Sequence, residues 1–320
     1  MERRLTFCVS SVCVLLLFVV NRDICAQDAG KAIRTWTGSL GRSQFGVFSK
    51  DSSRLVYAIG NNALVVDVES GTEACRLAGH SSSVSLARFS GDGKKIISVG
   101  QDETIRVWNS ETGKQLAQVS ANTADPSTVL LVSQTGNRAV FSTGKDQMLR
   151  LMDLDKKTEL SRVGLTAENV VWRAVTPDGR VAMSNGIENG SKIWDISSGQ
   201  AVVIDNGHHN YCGQFSHDGT KAIMAGGFNW EIWDPRRKAK LQAGTVTGGH
   251  IYSIATSTKV DRLLTGLADG SIWVWDTNSG KEIFVFRGHD QSIGAVMISP
   301  DRKFAVSEDA THKIILWRLP

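Results

Sequence analysis

Apolar residues come in short runs along this chain. Stretches such as "KKIISVG" at 94–100 and "SIWVWD" at 271–276 gather Val, Ile and Trp, and clusters of Gly, Asp, Asn and Ser separate them. No long window places apolar residues at the three-to-four spacing of a helix. Short β-rich runs bounded by turn residues predict an all-β protein built from many short strands.

The runs recur at a fixed interval. Trp108 in "TIRVWN" has counterparts at Val66, Met152, Trp194, Trp233, Trp275 and Trp317, at steps of 42, 44, 42, 39, 42 and 42 residues. Within a unit a Gly-His pair (Gly79-His80, Gly249-His250, Gly288-His289) precedes an apolar strand. A polar turn such as "SGDGKK" follows, then a strand carrying Ser or Thr, a turn with Asp, the Trp strand, and a fourth strand after a Gly turn. A period of 40–45 residues with four strands, Gly-His and Trp-Asp resembles WD40 repeats, and the resemblance implies blades of a β-propeller. The approximate units are 38–78, 79–120, 121–164, 165–206, 207–248, 249–287 and 288–320.

The chain ends bear on closure. Only three residues follow Trp317, so the last unit lacks a fourth strand. Residues 30–49 align without gaps on 280–299, which makes "GKAIRTW" a fourth strand without its own blade. It is expected to complete the seventh blade, cover an otherwise bare strand edge and close the ring.

Ser98, Asp102 and His80 could be read as a catalytic trio. The buried indole of Trp108, however, is a donor that needs an acceptor, and WD40 proteins use a Trp–Ser/Thr–His–Asp chain to tie a blade together. The set recurs as His250, Thr265, Asp269 and Trp275 in unit 6, and as Ser184, Glu188 and Trp194 in unit 4. Unit 7 has His289, Ser307 and Trp317, with Thr311 at the Asp position and Asp309 two residues earlier as a substitute. Recurrence across units favours a structural role over catalysis. Unit 1 has Ser39, Val56, Gly60 and Val66 at these positions, an apolar replacement of the polar chain.

No Gly-x-Ser-x-Gly, His-Glu-x-x-His or GxxxxGK[ST] motif occurs, and no catalytic, metal or cofactor residue is expected. His208 and His209 are neighbours on a strand and point to opposite faces. Asn189-Gly190-Ser191 fits a glycosylation pattern. Trp172 is a candidate for the central channel or the core, and Trp273 for an exposed contact or for blade packing. Lys and Arg total 36 against 32 Asp and Glu, evenly spread, and the one dense basic run is Arg236, Arg237, Lys238 and Lys240. No nucleic-acid signature is present.

Residues 1–26 carry Arg3 and Arg4, an apolar run over 5–20, and "ICA". This reads as a secretory signal peptide cleaved before Gln27, with an uncleaved anchor as the alternative. Beyond it only Cys75 and Cys212 remain, too few for a disulfide framework. The expected protein is an exported, bacterial-type, non-catalytic propeller. It would be periplasmic, cell-surface or secreted, binding protein partners as a scaffold in an envelope-associated complex, with no membrane span after cleavage. The alternative is an enzyme or a small-ligand or glycan binder using the central channel. Partners in the resembling family often sit on the Gly-His face. The resemblance carries that role to Ser83, Ser85 and Gln101, to Ser253, and to Ser292. Arg42, Gln44, Asn169 and Tyr252 are the larger groups, in an off-centre patch over units 7, 1 and 4 expected to be anchored by Arg42.

Overall fold

The computed structural model describes residues 30–40, 47–120, 130–132, 138–142, 149–163, 170–176, 181–186, 190–195, 201–204, 212–216, 218–237 and 239–320. Its elements are strands joined in antiparallel sheets, and no helix occurs among the described residues. The second unit shows the plan: Val84–Phe89, Lys95–Gly100, Thr104–Asn109 and Gln115–Ser120 pair in that order. Four further sheets in chain order repeat it, starting at Leu130–Val132, Val170–Val175, Cys212–Phe215 and Ile251–Thr256.

The first and last units depart from the plan together. The last sheet runs Ile293–Ile298, Phe304–Asp309, Lys313–Arg318, and its outermost strand is Ala32–Thr37 from the other end of the chain. The pairing sets Trp36 opposite Ile314 and Arg34 opposite Leu316, and Gly30 N donates to Arg318 O at 3.1 Å. Gly30 and Gly280, matched in the alignment, both have positive φ (86° and 71°), a turn that a side chain would strain. Among the described residues of the first unit, Arg54–Ile59, Asn62–Asp67 and Glu73–Ala78 form a regular sheet. Single bridges also join Ser39 to Ala58 and Phe48 to Leu55.

Apolar side chains fill the space between successive sheets. Leu55, Leu64 and Val66 of the first unit pack with Met297, Val306 and Leu316 of the last, while Val56 and Val65 meet Phe89 and Trp108 of the second. Like clusters join the second unit to the third, the fourth to the fifth, the fifth to the sixth and the sixth to the seventh. Strands buried on both faces, such as Ile314–Trp317, explain why apolar runs here are continuous rather than alternating.

A polar turn recurs between first and second strands. Ser90 Oγ donates to Asp92 Oδ1 at 2.6 Å and accepts from Lys95 N at 3.0 Å. Ser49 with Asp51, Ser216 with Asp218 and Ser299 with Asp301 repeat it. On this side of the fold the units are tied to one another. Lys95 Nζ meets Asp155 at 3.3 Å, Arg54 donates to Ser110 O at 3.1 Å, Ser52 Oγ accepts from Asp301 N at 3.1 Å, and Arg302 pairs with Asp261.

Candidate functional site

The opposite side carries the Gly-His loops, and unit 2 shows its chemistry in full. Trp108 Nε1 donates to Ser98 Oγ at 2.8 Å, and Ser98 Oγ lies 2.7 Å from His80 Nε2. Because the indole can only donate, the Ser98 hydroxyl hydrogen is free to point at Nε2. His80 Nδ1 then holds the ring hydrogen and donates to Asp102, at 2.9 and 3.0 Å from its two oxygens. Asp102 also accepts from Ser81 N at 3.0 Å and from Thr104 Oγ1 at 2.8 Å. Burial raises the Asp102 pKa, but the hydrogen bonds from His80, Thr104 and Ser81 outweigh it and hold the carboxyl at about 2. Burial pushes His80 below the ordinary histidine value, against the Asp102 carboxylate. The pair is therefore a neutral imidazole beside a carboxylate. Both ring nitrogens are engaged, with His80 and Ser98 buried to 6% and 0% exposure, so no nucleophile faces solvent.

Unit 7 reaches the same geometry with a different residue. His289 Nε2 lies 2.6 Å from Ser307 Oγ, which accepts from Trp317 at 2.8 Å, and His289 Nδ1 meets Asp309 at 2.8 Å. Asp309, not Thr311, is the partner; Thr311 Oγ1 donates to Asp309 at 2.6 Å. The reason lies in register. Asp309 faces Ile293 as Gly100 faces Val84. A Cβ on Gly100 would lie 2.4 Å from His80 Nδ1 and 2.6 Å from Asp102 Oδ1. A carboxylate can enter from this strand position or from the turn beyond it, and each unit keeps the other position out of the way.

Unit 6 does not assemble the set. Trp275 donates to Thr265 at 3.0 Å, but His250 is exposed and lies against Phe228, ring centroids 4.7 Å apart. Asp269 accepts from Ser271 N at 2.9 Å. His80 and His289 stand four residues before the first strand residue, Val84 and Ile293, whereas His250 immediately precedes Ile251. The shorter loop cannot fold the imidazole back beneath the turn. The sequence carries this signal: 18 residues separate His80 from Ser98 and His289 from Ser307, but only 15 separate His250 from Thr265.

That shift re-registers the face residues. Ser253 is buried, with Oγ 3.2 Å from Ile293 O, while His250 and Tyr252 take the positions held by Ser83 and Ser85 in unit 2. Ser83 and Gln101 are exposed, Ser85 and Ser292 half-buried, and the Gly-His loops meet the Asp turns through Gln101 N to Ser83 O and Ala310 N to Ser292 O. Trp273 is a packing residue rather than an exposed contact. Its Nε1 donates to Ser271 Oγ at 3.0 Å and its ring stacks on Trp275 at 5.6 Å. In unit 4 Trp194 donates to Ser184 at 2.7 Å. Glu188, Arg42, Gln44, Asn169, Lys238, Asn189, His208, His209, the leader and the side chain of Trp172 lie outside the described residues.

Sequence reasoning missed one substitute in unit 5. Trp233 donates to Glu231 at 2.8 Å, and Lys240 Nζ meets the same buried carboxylate at 2.7 Å, so an ion pair replaces the Ser–Trp link. Among the described residues no group of three His, Cys, Asp or Glu could hold a metal, Cys75 and Cys212 are not in disulfides, and no helix is long and apolar enough to cross a membrane.

The buried histidines make stability depend on pH. For His80 and His289 burial lowers the folded-state pKa, so the unfolded chain takes up the proton first. Their contribution is complete above the unfolded value of about 6.5 and is lost as pH falls through the folded value. Asp102 adds a second loss as pH falls from about 4 toward its folded value of about 2. Calorimetry across pH 8 to 3 is expected to show Tm falling first below pH 7 and again below pH 4. A Tm flat from pH 8 to 5 would contradict the buried neutral imidazoles.

Comparison with known proteins agrees with these features. The family model "WD domain, G-beta repeat" matches residues 71–109, 242–276 and 280–318. A serine-threonine kinase receptor-associated protein of Dictyostelium discoideum is 22% identical over 286 residues, 84% of this chain and 92% of that protein. Protein tipD of the same organism is 24% identical over 93% of this chain, which spans 51% of its length. Autophagy-related protein 16 of Arabidopsis thaliana is 23% identical over 78% of this chain and 50% of its own length. Several of the relatives are thus about twice as long as the segment they share with this chain. These relatives come from eukaryotes, which gives no support to a bacterial type. A chain in a solved structure titled "Crystal Structure of Mitotic Checkpoint Complex" superposes with a TM-score of 0.73 over 91% of this chain and 92% of that one, at 16% identity, a likeness of fold alone. The repeat matches, the relatives and the shared fold make this chain similar to WD40-repeat proteins, with a WD40 propeller fold.

Proposed function

We propose that the protein is an exported, non-catalytic seven-bladed propeller that binds a protein partner through its Gly-His face. The leader pattern of residues 1–26 supports export, and the N-terminal strand in the last sheet supports a closed ring. The observation that carries the binding reading is where large apolar side chains remain exposed. Among the described residues they are Ile59, Phe228 and Tyr252 on the Gly-His side, and Leu116, Leu160, Leu241 and Ile283 on outermost strands. None lies at the Ser-x-Asp turns, where polar ties between units occupy the surface.

Phe228, His250 and Tyr252 lie on this face where units 5 and 6 meet. Phe228 touches His250, Ile251 N donates to Gly227 O, and His250 O accepts from Ala268 N, so strand and turns of units 5 and 6 are joined there. Phe228 and Tyr252 are both 45% exposed. Aromatic side chains anchor protein contacts far better than the small Ser83 and Ser292 on the same face. Arg42, Gln44 and Asn169 remain further candidates from the sequence.

The test is a pull-down of the mature protein from its own envelope fraction, followed by substitution. Tyr252→Ala and Phe228→Ala are each expected to weaken capture of the partner by roughly thirtyfold with Tm unchanged, while Arg236→Ala and Arg237→Ala leave it intact. The reverse pattern would move the binding site to the opposite face.

A further inference from the structure

The first unit presents a physical problem. The chain leaves the strand Ala32–Thr37 and crosses from the last sheet to the first, where single bridges join Ser39 to Ala58 and Phe48 to Leu55. Ser39 pairs with Ala58 through both its N–H and its C=O, at 2.7 Å each. Leu40, which follows, is 0% exposed. Its peptide groups need partners as strongly as those in any ladder.

Two charged side chains from different sheets supply them. Leu40 N donates to Glu308 Oε2 at 2.7 Å, from the strand Phe304–Asp309 of the last sheet. Leu40 O accepts from the Arg88 guanidinium at 2.6 Å, from the strand Val84–Phe89 of the second sheet. Arg88 is 1% exposed and also donates to Ala87 O at 2.9 Å, and Glu308 is 7% exposed. Burial brings the Arg88 pKa down to about 9, with Glu308 opposing the shift, so the group is still a cation at neutral pH. At the surface, His312 Nδ1 lies 2.7 Å from the second oxygen of Glu308.

We propose that Arg88 and Glu308 form a two-sided latch on the Leu40 peptide, which locks the N-terminal strand into the last sheet and joins the last, first and second units at one point. Beyond the ladder to Lys313–Arg318, the other fastenings of this strap are shallower. Arg34 donates to Glu69 O at 2.6 Å near the surface, Trp36 lies 6.3 Å from the Tyr57 ring, and Gly38 N donates to His312 O at 3.0 Å. The latch is the only fastening among these that uses buried charge. Losing either side chain leaves one buried Leu40 peptide group without its bond, which disfavours the closed strap over the open one.

Hydrogen exchange of the full mature chain, followed by mass spectrometry, reads the strap directly. The peptide covering 32–37 reports closure, and 281–286, an outermost strand in unit 6, serves as internal control. Arg88→Met and Glu308→Gln are each expected to speed exchange at 32–37 by about tenfold or more, leaving 281–286 unchanged. The double variant should exceed either single one by much less than the product of the two, because each removes the same clamp. His312→Ala, at an exposed position, should give a smaller rise at 32–37. Unchanged exchange at 32–37, or an equal rise in both peptides, would overturn the latch. If Arg88→Met fails to fold, Glu308→Gln and His312→Ala decide the question by the same readout.

Discussion

Deleting residues 30–37 is expected to lower Tm by roughly 10 °C or more, the largest effect of any short change to this chain. The segment contributes a whole strand to the last sheet, pairing along Lys313–Arg318. Ile33 and Trp36 pack on a cluster that contains Ile314 and Leu316, each 0% exposed. Without the segment those side chains meet water, and the ladder groups of Lys313–Arg318 lose their partners. Removing two large apolar contacts alone costs about 3–5 kcal/mol by analogy with core truncations. A bare edge beside an apolar surface also invites pairing between molecules, so aggregation should accompany the loss. Calorimetry and light scattering of the truncated protein check both. An unchanged melting curve would mean that the two chain ends do not depend on each other.

Asp102→Ala is expected to destabilise the protein by about 2–3 kcal/mol, and Asp269→Ala by only about 1 kcal/mol. The two residues hold equivalent places in the repeat, yet their surroundings differ. Removing the Asp102 carboxylate strands the Nδ1–H of buried His80, along with Ser81 N–H and the Thr104 hydroxyl. Removing that of Asp269 frees bonds to Ser271 alone among the partners found, because His250 lies outside beside Phe228. Denaturant unfolding of the two variants measures the difference. Equal losses would show that the turn, rather than the imidazole, sets the cost.

The same contrast separates what could be read in the sequence from what could not. Strand number per unit, the 42-residue step and the fourth strand at the N-terminus follow from local patterns, since alternation of apolar runs and turn residues is a property of neighbouring positions. The Trp–Ser–His–Asp chain in unit 2 was legible because its spacing is regular. In unit 6 residue types matched but the His250 loop was three positions short, and loop length decides whether an imidazole can reach inward. In unit 7 the Asp309 carboxylate serves from a different place than the repeat implies, because only the space around His289 matters.

Sequence by itself determined the class, the repeat and its ends. Burial periodicity and turn chemistry act over a few residues and need no knowledge of the rest of the chain. Tertiary structure alone decided which polar groups meet. Arg88, Leu40 and Glu308 are 48 and 268 residues apart along the pairs they form, and no local spacing encodes that encounter. It also decided which apolar groups stay outside, leaving Phe228 and Tyr252 in water while Trp273 and Trp275 stack within. An aromatic residue has the same preference for burial everywhere in the chain; only the packing of neighbouring sheets determines whether there is room for it.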